Sequence, residues 1–185
     1  MEFAVKRPDV VRAVNQRWLL NFWLSHRGPH RVPPWQSVVV EKLSGQSPHL
    51  TMLTVSGEGD AVRFQIRFNG TFISQAYGPA DQRGKYIDEI MPAAFRADGL
   101  RAFRRTADEG CPFYTIHDLT DRNGRLVQYE RLLLPFAGDG RKVDRVLMSS
   151  EFVCLDGAFE GRNIMYAQMA PPALALAAKI ETGPA

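Results

Sequence analysis

The chain is poor in cysteine and histidine, with two and four among its 185 residues. Cys111 and Cys154 have a spacing that fits no metal-binding or haem-attachment motif, and they read as two reduced thiols in a cytoplasmic protein. No apolar run is long enough to span a membrane. The N-terminus, MEFAVKRPDVV, lacks the basic-then-apolar order of a signal peptide. There is no phosphate-binding glycine loop, no G-x-S-x-G elbow and no His/carboxylate metal spacing. No catalytic residue and no metal ligand is therefore assigned, and the chain reads as a non-enzyme. A basic run interleaved with aromatics is also missing. The net charge of +3 is dispersed, because Arg83 and Lys85 are followed by Asp88 and Glu89, and Arg104 and Arg105 by Asp108 and Glu109. That pattern disfavours nucleic acid as a partner.

What is present is enough apolar sequence, 45% of the chain, for one domain with extensions. Residues 1–28 read as an N-terminal amphipathic helix. Pro8 suits its first position, and Gly28-Pro29 stops it. Val11, Val14, Trp18 and Phe22 form a stripe, widened by Leu19 with Trp23 and by Leu20 with Leu24. Residues 29–48 are prolyl and read as an extended connector. From His49 the period changes to two, and Val62, Phe64, Ile66 and Phe68 fall on one face of the second strand of a hairpin. A helix is predicted over 93–109, followed by three more strands, which closes a core at residues 49–155. In the tail, 156–185, APPALALAAKIE is a candidate short helix.

Two strands, then helices, then three strands give an α+β architecture with helices over one face of the sheet. In GRLVQYERLLLPF the alternation of a half-wet strand stops at Arg131, and Leu132, Leu133 and Leu134 follow without a break. Such a strand is buried on both sides. The N-terminal helix is the obvious cover for the second face, in cis or from a second subunit. If Asn123-Gly124 is a two-residue turn, Arg122 pairs with Arg125. Counting back sets His117 opposite Glu130 and Ile116 opposite Arg131, with Asp118 opposite Tyr129 and diagonal to Arg131. Glu130 and Arg131 then occupy separate faces, each with a partner on the adjoining strand. These pairs either stabilise the sheet or provide a ligand anchor with a pH-sensitive His117–Glu130 contact.

Several segments together carry a family likeness. They are the Trp23 helix followed by His26-Arg27-Gly28, the Arg31-Val32-Pro33 connector, RFNGT, GKYIDEIMP, EGCPF, GRLVQYERLLLPF and VDRVLMSSEF. From about residue 15 to 155 the chain resembles the PAS domain, and more specifically the small PAS_5 family of alphaproteobacterial proteins. The resemblance implies a five-stranded antiparallel sheet with helices on one face, used for sensing or protein interaction rather than chemistry. It implies a homodimer formed through the N-terminal helix, here Val11, Val14, Trp18, Leu19, Phe22 and Trp23. It also implies a stand-alone module whose output passes through a separate signalling protein.

A small ligand between sheet and helices would meet Phe64, Phe68, Phe103, Tyr129 and Met148, which otherwise read as plain core, leaving a ligand-free interaction or scaffold module. Flavin is not supported, because neither cysteine lies in an Asn-Cys-Arg helix. Haem is not supported either, because residues 93–109 contain no histidine. No cofactor is assigned. Arg96, Arg101, Arg104 and Arg105 form a solvated helix face or a phosphate-binding one.

Overall fold

A computed structural model describes residues 2–38, 40–78, 81–139, 141–168 and 171–183. Seven strands form one mixed sheet: β1 (Ala4–Lys6), β2 (Leu50–Ser56), β3 (Arg63–Asn69), β4 (Phe113–Thr120), β5 (Leu126–Phe136), β6 (Arg145–Cys154) and β7 (Ala173–Ile180). Their order across the sheet is β1-β7-β4-β5-β6-β2-β3. The five strands expected from the sequence are contiguous, and β7 and β1 extend the sheet past β4. Among the named strands, β1 and β7 pair in parallel and the other pairs are antiparallel. The expected count of five is thus corrected to seven, and the candidate C-terminal helix is corrected to a strand. Ala, Leu and Lys favour a helix locally, but β4 would otherwise present an open ladder of N–H and C=O groups. Residues 173–180 pair along it. Ala170, at the start of the APPALALAAKIE segment, lies outside the described residues.

Among the described residues, four α-helices complete the fold: α1 (Val14–Arg27), α2 (Thr71–Ala76), α3 (Ile87–Ile90) and α4 (Ala93–Glu109). The last three lie on one face of the sheet. On the other face, α1 lays Gln16, Leu19, Leu20, Phe22 and Trp23 against β5 and β6. A helix of the same chain therefore covers the Leu132 and Leu134 side of β5, while Leu133 faces the other helices, and all three leucines are buried. Val11 is buried, but it precedes α1 in extended backbone after a 3-10 turn at Pro8–Val10. Because the helix starts at Val14 rather than Pro8, the expected stripe is rotated. Val14 is 70% and Trp18 41% exposed. The connector is not uniformly extended either, since 3-10 turns occupy Trp35–Ser37 and Val40–His49.

Pro135 sits in a central strand, where a missing N–H is normally excluded. It is tolerated because the β4 pairing ends at Phe113↔Leu133, so β5 overhangs its neighbour. The fully buried indole of Trp23 donates to the Pro135 carbonyl at 2.6 Å. Replacing Trp23 with Phe keeps most of the packed ring and leaves that carbonyl without its donor, so it should cost about 2–3 kcal/mol. A urea titration checks this as a lower midpoint at unchanged slope.

Candidate functional site

The loop between β4 and β5 sets every pairing around the site. Asp121 N–H donates to the Arg125 carbonyl, Gly124 N–H donates to the Asp121 carbonyl, and Gly124 has φ +78°. The Asp121 carboxylate accepts from the Asn123 and Arg125 amides at 2.8 and 2.9 Å. This closes a three-residue loop with glycine in the left-handed bulge position, not the two-residue turn expected from Asn-Gly. The register moves by one residue, and three expected pairs are corrected. His117 faces Tyr129, Ile116 faces Glu130, and Asp118 faces Gln128, while Arg131 faces Thr115. His117 and Glu130 therefore point to opposite faces, and Asp118 meets the Gln128 amide instead of Arg131.

On the α1 face, Glu130 is buried at 3% exposure. One of its carboxylate oxygens accepts from the Tyr114 hydroxyl at 2.5 Å and from the Ala13 amide at 3.2 Å. The N-cap residue of α1 is Ala13, whose side chain cannot cap. The carboxylate from β5 accepts the amide of the N-cap residue itself and places negative charge at the positive end of the helix. The Tyr114 hydroxyl in turn accepts the Arg12 amide. Gln16 spans the Glu130 and Ser149 carbonyls, both at 3.1 Å. Burial first, and the Glu130 carboxylate second, hold the Tyr114 phenol well above its ordinary value.

On the other face, Arg131 is 4% exposed. Its guanidinium lies over the Phe103 ring, 5.3 Å from the centroid, and among the described residues its Nε and Nη2 have no hydrogen-bond partner. Thr115 Oγ1 and His117 Nδ1, on the same face, are likewise unpartnered. Burial, and then the Arg131 charge, depress His117 to about 4, with Asp98 of α4 opposing. Tyr77 is raised mainly by burial and secondly by the Tyr129 phenol, while the Arg131 charge lowers it.

Arg131 lines a cavity of about 20 Å³ with Phe103, Met148, Met91, Thr51 and Asn69 among its other walls, room for a single water. Of the aromatic and methionine residues singled out in the sequence, Phe103 and Met148 line it. Phe64 and Tyr129 are buried in the surrounding core. Phe68 is corrected to the opposite face. A bulge at Arg67, between the pairs Met52↔Phe68 and Leu53↔Ile66, reverses the alternation and leaves Phe68 39% exposed. The wall contributed by Tyr77, Gln82, Ile87 and Met91 had no periodic signal, because it comes from short turns and loops. No group of three His, Cys, Asp or Glu among the described residues is placed to hold a metal. No helix among them is long and apolar enough to cross a membrane.

The family model described as PAS domain, PAS_5, matches residues 11–149, well over half of the chain. No curated protein matches the chain.

A histidine whose folded pKa is depressed stabilises the fold above its unfolded value and loses that contribution as pH falls through the folded one. For His117 the window runs from 6.5 down to about 4. Between pH 7.5 and 5 the native chain should lose about 2 kcal/mol through this group. In His117→Phe, whose ring fits between Phe95 and Tyr129, that part of the loss should disappear. Denaturant titrations of both proteins at the two pH values measure the difference.

Proposed function

Because the chain belongs to the PAS domain family, we propose that it is a non-catalytic sensory or regulatory module of the cytoplasm that signals through protein–protein contact. Its sensing part is the core between the sheet and helices α2–α4, and its contact part is α1. The observation that carries this reading is the placement of two adjacent, oppositely charged residues. Arg131 faces the sensing core with Nε and Nη2 unpartnered among the described residues, and Glu130 bonds the start of α1 on the other side. In a low-dielectric interior the Arg131 charge stabilises the neighbouring carboxylate. Anything that neutralises Arg131 weakens the hold of Glu130 on Ala13 and Tyr114, and so loosens α1.

The outer side of α1 suits a partner. Trp18 lies beside the exposed Val14 and stacks on the buried Phe22 at 5.5 Å, with the His26 ring tilted against Phe22 at 4.1 Å. A second copy of the chain is the first partner proposed, and a separate signalling protein receives the output. The second reading, a ligand-free interaction module with a filled core, is favoured by the small size of the cavity. In both readings α1 supplies the contact.

Sedimentation velocity over a concentration series tests the contact face. The native chain should self-associate. Trp18→Glu should stay monomeric with an unchanged far-UV spectrum, since Trp18 is half-exposed and stacks on its own helix. A native chain that is monomeric throughout, or a Trp18→Glu variant that associates equally well, contradicts the proposal.

A further inference from the structure

We propose that Arg131 anchors a buried site for a small aliphatic carboxylate, with the two carboxylate oxygens on Nε and Nη2 and the hydrocarbon tail among Met91, Ile87, Ile90 and Ile73. The inference rests on reading the sheet–helix core as the sensing part, and it names the chemical class of what is sensed.

The two nitrogens without partners share one edge of the guanidinium, the edge that offers parallel N–H donors to a planar carboxylate. At 4% exposure this charge is almost wholly desolvated. A buried cation without a counter-charge costs several kcal/mol, and Arg131 forms no ion pair among the described residues. One water in a 20 Å³ cavity can accept an N–H but does not compensate the charge. An anion does both.

The rest of the wall selects among anions. Across the cavity, Thr51 Oγ1 donates to Asn69 Oδ1 at 2.5 Å, the Asn69 amide to Gln82 Oε1 at 3.0 Å, and the Gln82 amide to the Tyr77 carbonyl at 3.4 Å. These groups satisfy one another and ask nothing of a ligand. Isoleucine, methionine and phenylalanine side chains make up the remainder. A single carboxylate with an apolar tail fits that wall. A phosphate would bring further negative charge, and Arg131 is the one cation among the lining residues.

The space can grow. Met91 and Met148 are unbranched and repack readily. Met91 also lies over Gly99 of α4, where an added Cβ would come within 2.5 Å of its sulfur and 3.5 Å of Arg131 Nη1.

The test follows the Arg131 Nε–H resonance of the full chain while acetate, propionate, butyrate or inorganic phosphate is added at constant ionic strength. The carboxylates should shift it saturably, each added methylene tightening binding about fourfold, and phosphate should not. Arg131→Met, which replaces the charge by an apolar group of similar length, should stay folded without ligand and lose the thermal stabilisation that butyrate gives the native chain. Gly99→Ala leaves the guanidinium in place, crowds Met91 into the cavity, and should weaken butyrate at least fivefold.

Three results overturn the assignment: no saturable shift with any carboxylate, an equal shift with phosphate, or butyrate stabilisation undiminished in both variants. If any of these occurs while self-association through Trp18 is intact, the ligand class fails and the proposed contact face stands. The reverse outcome, a carboxylate response in a chain that never associates, fails the contact face alone.

Discussion

A sheet covered on both faces leaves a charged side chain in its central strand no route to water. This constraint governs the molecule. Neighbours in a strand point to opposite sides, so Glu130 and Arg131 cannot answer one another directly, and each must be accommodated by a separate interior. The α1 interior does so fully. It brings the Ala13 amide and the Tyr114 hydroxyl to the Glu130 carboxylate, and the acid sits at the positive end of α1. The other interior supports the guanidinium on the Phe103 ring and, among the described residues, leaves two of its donors unmet.

That asymmetry gives β5 a mechanical consequence. In the function proposed above, the carboxylate at the start of α1 is held in place partly by the positive charge one residue further along the strand. On that proposal, changes on the α2–α4 side reach α1 as a change in field. Burial first, and the Arg131 charge second, keep the His117 imidazole on the neighbouring strand neutral at physiological pH. Around this axis the packing is dense. Leu132 and Leu134 meet α1, Leu133 and Met148 meet the other helices, and the cavity between them is small.

Much of this arrangement was legible in the sequence. The unbroken Leu132–Leu134 run announced a doubly covered strand, and strict alternation announced that Glu130 and Arg131 part company. The partners were not legible, because they depend on whether the Asn123-Gly124 loop holds two residues or three. The Asp121 carboxylate makes that choice by accepting the Asn123 and Arg125 amides. Phe68 was misplaced for a related reason, a single extra residue in β3 that no local pattern marks. The β7 strand was hidden by residues with good helix propensity, since the open edge of β4 is a property of the assembled sheet. The start of α1 was set six residues too early because Pro8 and Asp9 do begin a helical turn, though one of 3-10 type that ends at Val10.

The coupling across β5 is the central claim. A double-mutant cycle read by hydrogen exchange in α1 tests it most directly, with Glu130→Gln, Arg131→Met and the pair compared with the native chain. The account predicts that Arg131→Met speeds exchange over Val14–Arg27 when Glu130 is present and has little effect once Glu130 is Gln, so that the two changes are far from additive. If the effect of Arg131→Met on α1 is the same with either residue at position 130, the two faces of the sheet are independent and the account is wrong.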